Sequence, residues 1–294
     1  MSSRLLCIGD LNADITITAD GTISIGSDTP GTVVMSGGGS AANVAAWAST
    51  TGRSARFVGV IGDDPLGDFL IDELAGHGAE LRAIRREGVA SRAIAAIVGP
   101  DGNRSMVSAL DPSTVLRPDE VDGAWFDDIG WVHLTAYTYL QHGGGAVFGS
   151  LVREIEAAGL PWSVDPSSAE MLQLQCSRDE AIDAFSGASV MFPNEDEAAW
   201  LAGVDAPAEA AQRLLDVVDT AVVTCGADGA VVARRDAATF RVDAAPAALV
   251  NTLGCGDAFA GGFLSSRLAG RDDRTCAIRA AAVAARAAAI ATSR

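Results

Sequence analysis

The fold of this chain is decided by the stretch Asn251-Thr252-Leu253-Gly254-Cys255-Gly256-Asp257-Ala258-Phe259-Ala260-Gly261-Gly262-Phe263. It follows the apolar run 247–250, and the pattern from 256 to 268 predicts a helix. A loop of small residues that opens a helix exposes backbone N–H groups, which form an anion site with the positive end of the helix dipole. Asp257 would repel that anion, so it is placed instead to take a proton from a nucleophile that attacks a bound phosphate. The alternative is a glycine-rich turn in which Asp257 is an ordinary acidic residue at a helix start.

The composition excludes several classes of protein. The chain has 294 residues, 49% of them hydrophobic, which is enough for one large domain with a buried core. Its net charge of −17 disfavours nucleic acid as a partner. All 21 basic residues are arginine, so the lysine-dependent phosphate sites of P-loop proteins and protein kinases are excluded. A phosphate site in this chain must therefore use backbone amides, arginine or a metal ion.

The sequence also predicts where the protein resides. No apolar run approaches the roughly 20 residues of a membrane span, and the first residues enter a strand pattern without the apolar core of a signal peptide. The cysteines are scattered without C-x-x-C spacing, at Cys7, Cys176, Cys225, Cys255 and Cys276. We therefore expect reduced thiols in a cytoplasmic protein that has no membrane partner.

Strands and helices alternate along most of the chain. We predict strands at 4–9, 56–61, 129–135, 162–165, 188–192 and 221–224, with helices following them. Such alternation is typical of an α/β fold with a mainly parallel sheet that is covered on both faces. We expect residues 1–294 to form a single domain.

One part of the chain has a different texture and predicts a small β-sheet lid. Apolar residues between 15 and 35 are interspersed with Thr, Ser, Asp and Gly, and Asp20-Gly21 is a hairpin signal, which predicts a small antiparallel β element. Residues 93–98 and 104–109 also have strand patterns, separated by the turn sequence Asp101-Gly102-Asn103. We predict that residues 13–36 and 88–109 together form the lid.

A glycine run, Ser36-Gly37-Gly38-Gly39-Ser40, precedes an alanine-rich helix that is predicted to end near Thr51. Glycines let a ligand approach the backbone closely. Gly37, Gly39 and Ala42 also match the G-x-G-x-x-A dinucleotide fingerprint, so an NAD(P)-dependent oxidoreductase is a competing hypothesis. That fingerprint normally follows the first core strand directly, whereas here a β element intervenes, and it gives no role to the stretch around Asp257.

Several polar or glycine-rich segments fall at predicted strand ends or helix starts, which lie on one edge of a parallel sheet. These segments are Asn12 with Asp14, the glycine run with Asn43, Asn194 with Glu197, Thr224-Cys225-Gly226, and 254–257. One crevice can hold them all. Asn12 and Asp14 are suited to bind a polyol, or alternatively form a turn.

At these residues the sequence resembles the ribokinase-like pfkB family of sugar kinases, over essentially the whole chain. The segment from Gly38-Gly39 and Asn43 to 59–67 resembles the N-terminal signature of that family, and 251–263 resembles its D-T-x-G-A-G-D-x-F-x-x-G-F signature. Asn194-x-x-Glu197 matches an N-x-x-E motif, and Thr224-x-Gly226 with Gly229 matches a T-x-G-x-x-G turn. The resemblance implies a three-layer ribokinase-like fold, with a mainly parallel central sheet flanked by helices and a small β lid.

The resemblance also implies the activity, an ATP-dependent transfer of a phosphoryl group to a sugar hydroxyl. Asp257 would be the base, and the backbone N–H groups of Gly254, Cys255 and Gly256 would form the anion hole. Asn194 and Glu197 would organise Mg²⁺ through water.

The remaining motif residues are implied to bind the two substrates. The sugar hydroxyls would be held by Asn12, Asp14, Gly38, Gly39 and Asn43. ATP would lie along Thr224, Gly226 and Gly229. The lid would close over the sugar and join two copies into a homodimer.

Two departures from the family pattern bear on the chemistry. Asn251 replaces the usual Asp, which keeps an oxygen ligand but loses a charge, so K⁺ activation is left open. Cys255 replaces the usual Ala and would contribute only its N–H.

The acceptor is left open between ribose, fructose, 2-keto-3-deoxygluconate and a nucleoside. Asn12-x-Asp14 favours a ribokinase-like sugar site, and no arginine motif for a carboxylate is evident. A non-catalytic sugar- or nucleotide-binding protein is a third hypothesis for the function, beside the kinase and the NAD(P)-dependent oxidoreductase.

Overall fold

The computed structural model describes residues 4–98, 104–108, 112–141 and 143–294. The predicted turn Asp101-Gly102-Asn103 lies outside these residues. Within the described ranges, no helix is long and apolar enough to cross a membrane. All five cysteines are free thiols, as the sequence predicted.

The strands form two sheets. In chain order they are β1 (Arg4–Ile8), β2 (Asn12–Ala19), β3 (Gly31–Gly38), β4 (Ala55–Gly62), β5 (Glu80–Arg86), β6 (Ala93–Val98), β7 (Arg104–Ser108), β8 (Ile129–Thr135), β9 (Trp162–Asp165), β10 (Val190–Met191), β11 (Thr220–Thr224), β12 (Ala230–Arg234) and β13 (Phe240–Val242). The described part of the large sheet has the order β13-β12-β11-β10-β9-β8-β1-β4-β5. It is parallel from β5 to β11, and β12 and β13 add antiparallel strands at one edge.

Helices cover both faces of the large sheet. They are α1 (Ser40–Thr50), α2 (Pro65–Gly76), α3 (Ala136–Leu140), α4 (Gly144–Ala157), α5 (Ala169–Gln175), α6 (Arg178–Phe185), α7 (Glu195–Ala202), α8 (Pro207–Arg213), α9 (Cys255–Leu268) and α10 (Asp273–Ala288). Side chains alternate across a strand. Accordingly, Leu6 and Ile8 of β1 pack in one core with α4 and α6 to α8, whereas Leu5 and Cys7 pack in a second core with α1, α2, α9 and α10. The predicted three-layer α/β fold is confirmed.

The second sheet, in the order β3-β2-β6-β7, is the lid. Both predicted segments contribute to it, with β2 antiparallel to β3 and parallel to β6, and β6 antiparallel to β7. The hairpin that Asp20-Gly21 signalled is present, because β2 and β3 pair antiparallel, but the chain does not turn tightly at these two residues. A two-residue type I′ turn requires positive φ at both residues, which neither adopts. Instead, residues 20–30 connect the strands, and the Asp20 N–H donates to the Pro30 carbonyl at 3.0 Å.

Candidate active site

A cavity of about 740 Å³ lies between the lid and the carboxyl ends of the parallel strands. Most residues that the sequence predicted for the site line it: Asn12, Asp14, Gly39, Asn43, Asn194, Glu197, Thr224, Gly254, Gly256 and Asp257. Strand ends and helix starts supply them, as expected for an open parallel sheet. The stretches that the sequence placed on one edge therefore do converge on one site.

The first turn of α9 forms one wall of the cavity. Gly254 is the N-cap and has φ 76°, a left-handed conformation that favours glycine. Intrahelical bonding begins with the Ala258 N–H, which donates to the Gly254 carbonyl at 2.9 Å, so the three preceding amides have no carbonyl one turn earlier in the helix. The Cys255 N–H donates to the Thr252 carbonyl at 3.4 Å, and Cys255 itself is off the cavity wall. Gly254 and Gly256 border the cavity, which suits an anion.

Asp257 is held by two donors from the start of α1. The Ser40 hydroxyl donates to Oδ1 at 2.6 Å, and the Asn43 side-chain amide donates to Oδ2 at 2.8 Å. Burial raises the pKa of Asp257 well above its usual range, the charge of Asp165 raises it further, and the bonds from Ser40 and Asn43 oppose the rise. A carboxylate with two fixed donors still has lone pairs for a substrate proton, and a raised pKa is typical of a general base.

Asp10 and Asp165 are two further carboxylates on the cavity wall that the sequence did not assign to the site; Glu170 of α5 is a third. Asp10 follows β1 and accepts the Ser40 N–H at 3.1 Å, so it fixes the start of α1. Asp165 ends β9, and burial together with the charge of Glu197 raises its pKa well above the usual range. Their signal was position alone, since both stand at carboxyl ends of parallel strands. Ser40 was also missed, because a serine at a helix start is ordinarily no more than a local polar residue.

Asn194 and Glu197 form a capping box at the start of α7. The Asn194 N–H and side-chain amide donate to the two Glu197 carboxylate oxygens at 2.9 and 2.8 Å. The Glu197 N–H donates in return to Asn194 Oδ1 at 2.9 Å. Burial raises the pKa of Glu197 to about 7, and the charges of Asp196 and Asp257 add to that rise. The sequence motif N-x-x-E is therefore a rigid unit on the cavity wall.

Direct metal coordination by side chains does not fit this wall. Among the described residues, no three or more His, Cys, Asp or Glu side chains are grouped to hold an ion. Glu197 does fit a role in holding a metal ion through water, because its buried carboxylate borders the cavity together with Asp165 and Asp257. A Mg²⁺ ion that keeps its waters and is carried by nucleotide phosphates is compatible with such a wall.

The acceptor side of the cavity is built from Asn12, Asp14 and Asn43. The Asn12 side-chain amide donates to Asp14 Oδ1 at 2.8 Å, and burial raises the pKa of Asp14. Gly38 is not on the cavity wall, although it was predicted to hold the sugar. A Cβ at Gly38 would collide with the Asp14 carboxylate, so this glycine makes room for Asp14.

The residues Ser293 and Arg294, which the sequence did not point to, support that side from behind. The buried Arg294 guanidinium donates to Asn43 Oδ1 at 3.0 Å and to Glu73 Oε2 at 2.9 Å. The Ser293 hydroxyl donates to Asp14 Oδ2 at 3.2 Å. Because Asn43 Oδ1 receives the arginine, the NH₂ end of the Asn43 amide is directed to Asp257. No spacing rule connects residues about 250 positions apart, so this link was invisible in the sequence.

The predicted nucleotide-side residues fall in two groups. Thr224 lines the cavity, whereas Gly226 and Gly229 lie in the turn beyond β11 and off the wall. Gly229 has φ 83° and packs against the Val242 carbonyl. Asn251 also lies off the wall: its Oδ1 accepts the Leu253 N–H at 3.0 Å and its Nδ2 donates to the Ala291 carbonyl at 3.3 Å. In this structure Asn251 stabilises the loop before α9.

The comparisons with known proteins agree with this geometry. Residues 2–290 match the model of the pfkB family of carbohydrate kinases. It is 31% identical over 282 residues to the ATP-dependent ribose-1-phosphate kinase of Halopiger xanaduensis, covering 92% of this chain and 86% of that protein. The adenosine kinase of Sinorhizobium meliloti superposes with a TM-score of 0.86 at 24% identity, covering 97% of this chain and 93% of the other. Arabidopsis thaliana ribokinase, solved with ribose and ATP, gives a TM-score of 0.82 at 22% identity over 98% and 93% of the two chains.

The two structural likenesses confirm the ribokinase-like fold. The family match extends over almost the whole sequence, including both signatures and the start of α9. The chain therefore belongs to the pfkB family of carbohydrate kinases, which confirms the family and the enzyme class, ATP-dependent carbohydrate kinase, that were predicted from the sequence.

Proposed function

We propose that the protein transfers the γ-phosphoryl group of ATP to a hydroxyl group of a sugar or sugar-containing small molecule, with Asp257 as the base. The observation that carries the proposal is the position of Asp257. Its carboxylate is fixed by Ser40 and Asn43 in the same helix turn whose amides border the cavity. A base and an anion site at one point are what an in-line transfer between a hydroxyl and a phosphate requires.

Each wall of the cavity contributes one part of the reaction. Asn12, Asp14 and Asn43 hold the hydroxyls of the acceptor beside Asp257. Asp257 accepts the proton of the attacking hydroxyl as its oxygen approaches the γ-phosphorus. The amides around Gly254 and Gly256 donate to the phosphoryl oxygens, where negative charge must be stabilised without any lysine.

The cavity also implies a cation. Its wall is strongly acidic, so a nucleotide triphosphate would be repelled without a counter-charge. When bound with ATP, Mg²⁺ neutralises phosphate charge. Glu197, fixed by Asn194, would hold the hydrated ion through water, while Thr224 borders the nucleotide. Asn251 already donates and accepts within the polypeptide, so we leave K⁺ as a variable of the assay.

The experiment is ADP release from Mg-ATP over a panel of pentoses, hexoses, their phosphates, keto-deoxy acids and nucleosides, with and without K⁺. We expect turnover with one sugar class, and loss of that turnover in Asp257→Asn with ATP binding retained. A wild-type protein that binds ATP but phosphorylates no member of the panel would contradict the proposal in favour of a non-catalytic binder. A response to nucleosides alone would move the acceptor to that class.

We also propose that a second copy of the chain covers the outer face of the lid. The row Met35, Ile15, Ala95 and Val107 runs across all four strands in register, on the face opposite to Asp14, Ile94 and Ser108, which line the cavity. Met35 is 50% exposed and Val107 is 64% exposed, with Val33 on the same face at 66%. A contiguous apolar face of this kind is typical of an interface.

A further inference from the structure

Arg92 is a buried cation that has no hydrogen-bond or ion-pair partner for its side chain among the described residues. It lies on the cavity wall at the start of the lid strand β6 and is only 8% exposed. Among the described residues, no hydrogen bond or ion pair engages its guanidinium group, and its Nε atom is buried without an acceptor. A buried charge without a partner is costly, so proteins retain one where something else completes it.

The backbone that carries Arg92 is fixed from two sides. The N–H and hydroxyl of the preceding Ser91 donate to the two Asp64 carboxylate oxygens, at 2.8 and 2.6 Å. Asp64 is itself the N-cap of α2 and accepts the Gly67 N–H at 2.7 Å. On the other side, the Arg92 carbonyl accepts the Ala13 N–H at 2.9 Å. The G-D-D-P-L-G segment of the N-terminal signature therefore holds Arg92 in place before any ligand arrives.

The charges on the cavity wall make this position unusual. The described wall carries the carboxylates Asp10, Asp14, Asp165, Glu170, Glu197 and Asp257, and Arg92 is its one basic side chain. None of these carboxylates forms an ion pair with Arg92, so the arginine is not there to neutralise the wall. A neutral sugar would leave the guanidinium unpaired, whereas a phosphate or carboxylate group would accept two parallel hydrogen bonds from it.

We infer that Arg92 binds an anionic group on the acceptor, so that the substrate is a sugar that carries a phosphate or a carboxylate. The inference rests on the proposed kinase function and specifies the acceptor of that same site. It revises the sequence analysis, which found no arginine motif for an acidic sugar. Spacing could not reveal it, because an arginine before a lid strand normally points to solvent.

The test compares neutral and anionic acceptors in wild-type enzyme and in Arg92→Gln. The pairs are ribose with ribose 1-phosphate and ribose 5-phosphate, fructose with fructose 6-phosphate, and glucose with gluconate and 2-keto-3-deoxygluconate. We expect an anionic member to be the best acceptor. In Arg92→Gln we expect kcat/KM for that anionic acceptor to fall roughly 10- to 100-fold because its KM rises, which is the effect of losing one hydrogen bond between charged groups. The KM for ATP should stay unchanged. The phosphate and carboxylate arms show which anion the site takes.

Two controls keep the result interpretable. Arg153→Gln removes an exposed arginine of α4 whose Nη2 donates to Ser150, and it should leave the kinetics of every acceptor unaffected. Arg92→Lys keeps the charge but loses the paired geometry, so its KM should lie between those of wild type and Arg92→Gln. It also replaces the glutamine variant if that variant does not fold.

A binding measurement separates this inference from the kinase proposal. Calorimetric titration of the same sugar phosphates and sugar acids into the wild-type protein without ATP should show binding that Arg92→Gln weakens. If neutral sugars are phosphorylated as well as their anionic counterparts and Arg92→Gln changes neither, the inference is wrong while the kinase function stands. If anionic sugars bind through Arg92 but are never phosphorylated, the kinase function fails instead.

Discussion

Ser40 offers the most direct test of the base. Its hydroxyl donates to Asp257 Oδ1 at 2.6 Å, which is the shorter of the two hydrogen bonds that hold the carboxylate. This bond stabilises the ionised form, and it opposes the rise in the pKa of Asp257 that burial and Asp165 cause. Ser40→Ala removes the bond and little else from the side chain, so the pKa of Asp257 should rise further.

The magnitude follows from the strength of a hydrogen bond to a charged group. Such a bond contributes about 1.5 kcal/mol at the lower end of its range. That energy changes a protonation equilibrium about tenfold, which displaces the acid limb of the rate profile by about one pH unit. Since the base must be deprotonated to act, a higher pKa moves the acid limb to higher pH. At alkaline pH, where kcat/KM reaches its plateau, Ser40→Ala and wild type should have similar values of kcat/KM.

The assay is kcat/KM for the acceptor from pH 5 to 9, with Ser49→Ala as the matched control. Ser49 lies on the same helix, and its hydroxyl donates only within that helix, to the Ala45 carbonyl at 2.9 Å. A folded Ser40→Ala enzyme whose acid limb coincides with that of wild type would refute the reasoning. If only KM changes while the limb stays in place, Ser40 binds the acceptor and does not tune the base.

Three further predictions concern Asp257, Arg294 and the lid. Asp257→Asn should lose roughly 10²–10⁴-fold in kcat yet melt at a higher temperature near pH 7. Because burial raises the pKa of Asp257 in the folded protein, its ionisation favours the unfolded chain at every pH above the unfolded-state pKa of about 4, so the difference in Tm should shrink as the pH falls towards 4 and be absent below it. Arg294→Gln should lower the free energy of unfolding, measured in urea, by about 2–3 kcal/mol, because it leaves Glu73 and Asn43 without their buried donor. We expect kcat to fall as well, and a variant as stable as wild type would contradict the role of Arg294. Val107→Asp should shift the protein towards monomer in sedimentation analysis, whereas the control Leu174→Asp, at an exposed site on α5, should not. If the wild-type protein is itself a monomer, the proposed dimer through the lid is wrong.

The sequence was a good guide wherever a local pattern and the sheet edge agreed. Helix-start chemistry pointed to the small-residue loop and Asp257, with an ordinary turn as the alternative, and the parallel sheet then placed that helix beside the glycine run. Asn194 and Glu197 were identified from the N-x-x-E motif at a predicted helix start, and in the structure they form a capping box. These are short-range patterns whose physical cause is contained within a few residues.

What the sequence missed depends on distant contacts. Nothing near Ser40 shows that a residue 217 positions later needs its hydroxyl. Arg92 stands beside an ordinary strand, and only burial on a cavity wall without a partner distinguishes it. Gly226, Gly229 and Asn251 belong to the matched motifs but lie off the cavity wall, so their roles on the nucleotide side stay predictions.

The glycine run shows how one sequence feature can have two physical causes. The sequence predicts that all three glycines let a ligand approach the backbone. Gly39 fits that account, since it lines the cavity and has φ 100°. Gly37 and Gly38 do not line it: a Cβ at Gly37 would collide with Glu73 and Arg294, and one at Gly38 would collide with Asp14.

The same reasoning applies to Gly254 across the cavity. A Cβ there would lie 2.5 Å from the Ser293 carbonyl oxygen, so this glycine is required by the segment that carries Arg294 as well as by its left-handed φ. Glycines from two distant motifs thus make room for Ser293 and Arg294. Those two residues in turn orient Asp14 and Asn43, and Asn43 donates to Asp257. The glycines of both motifs therefore act on the base through packing behind the site, in addition to any contact with substrate.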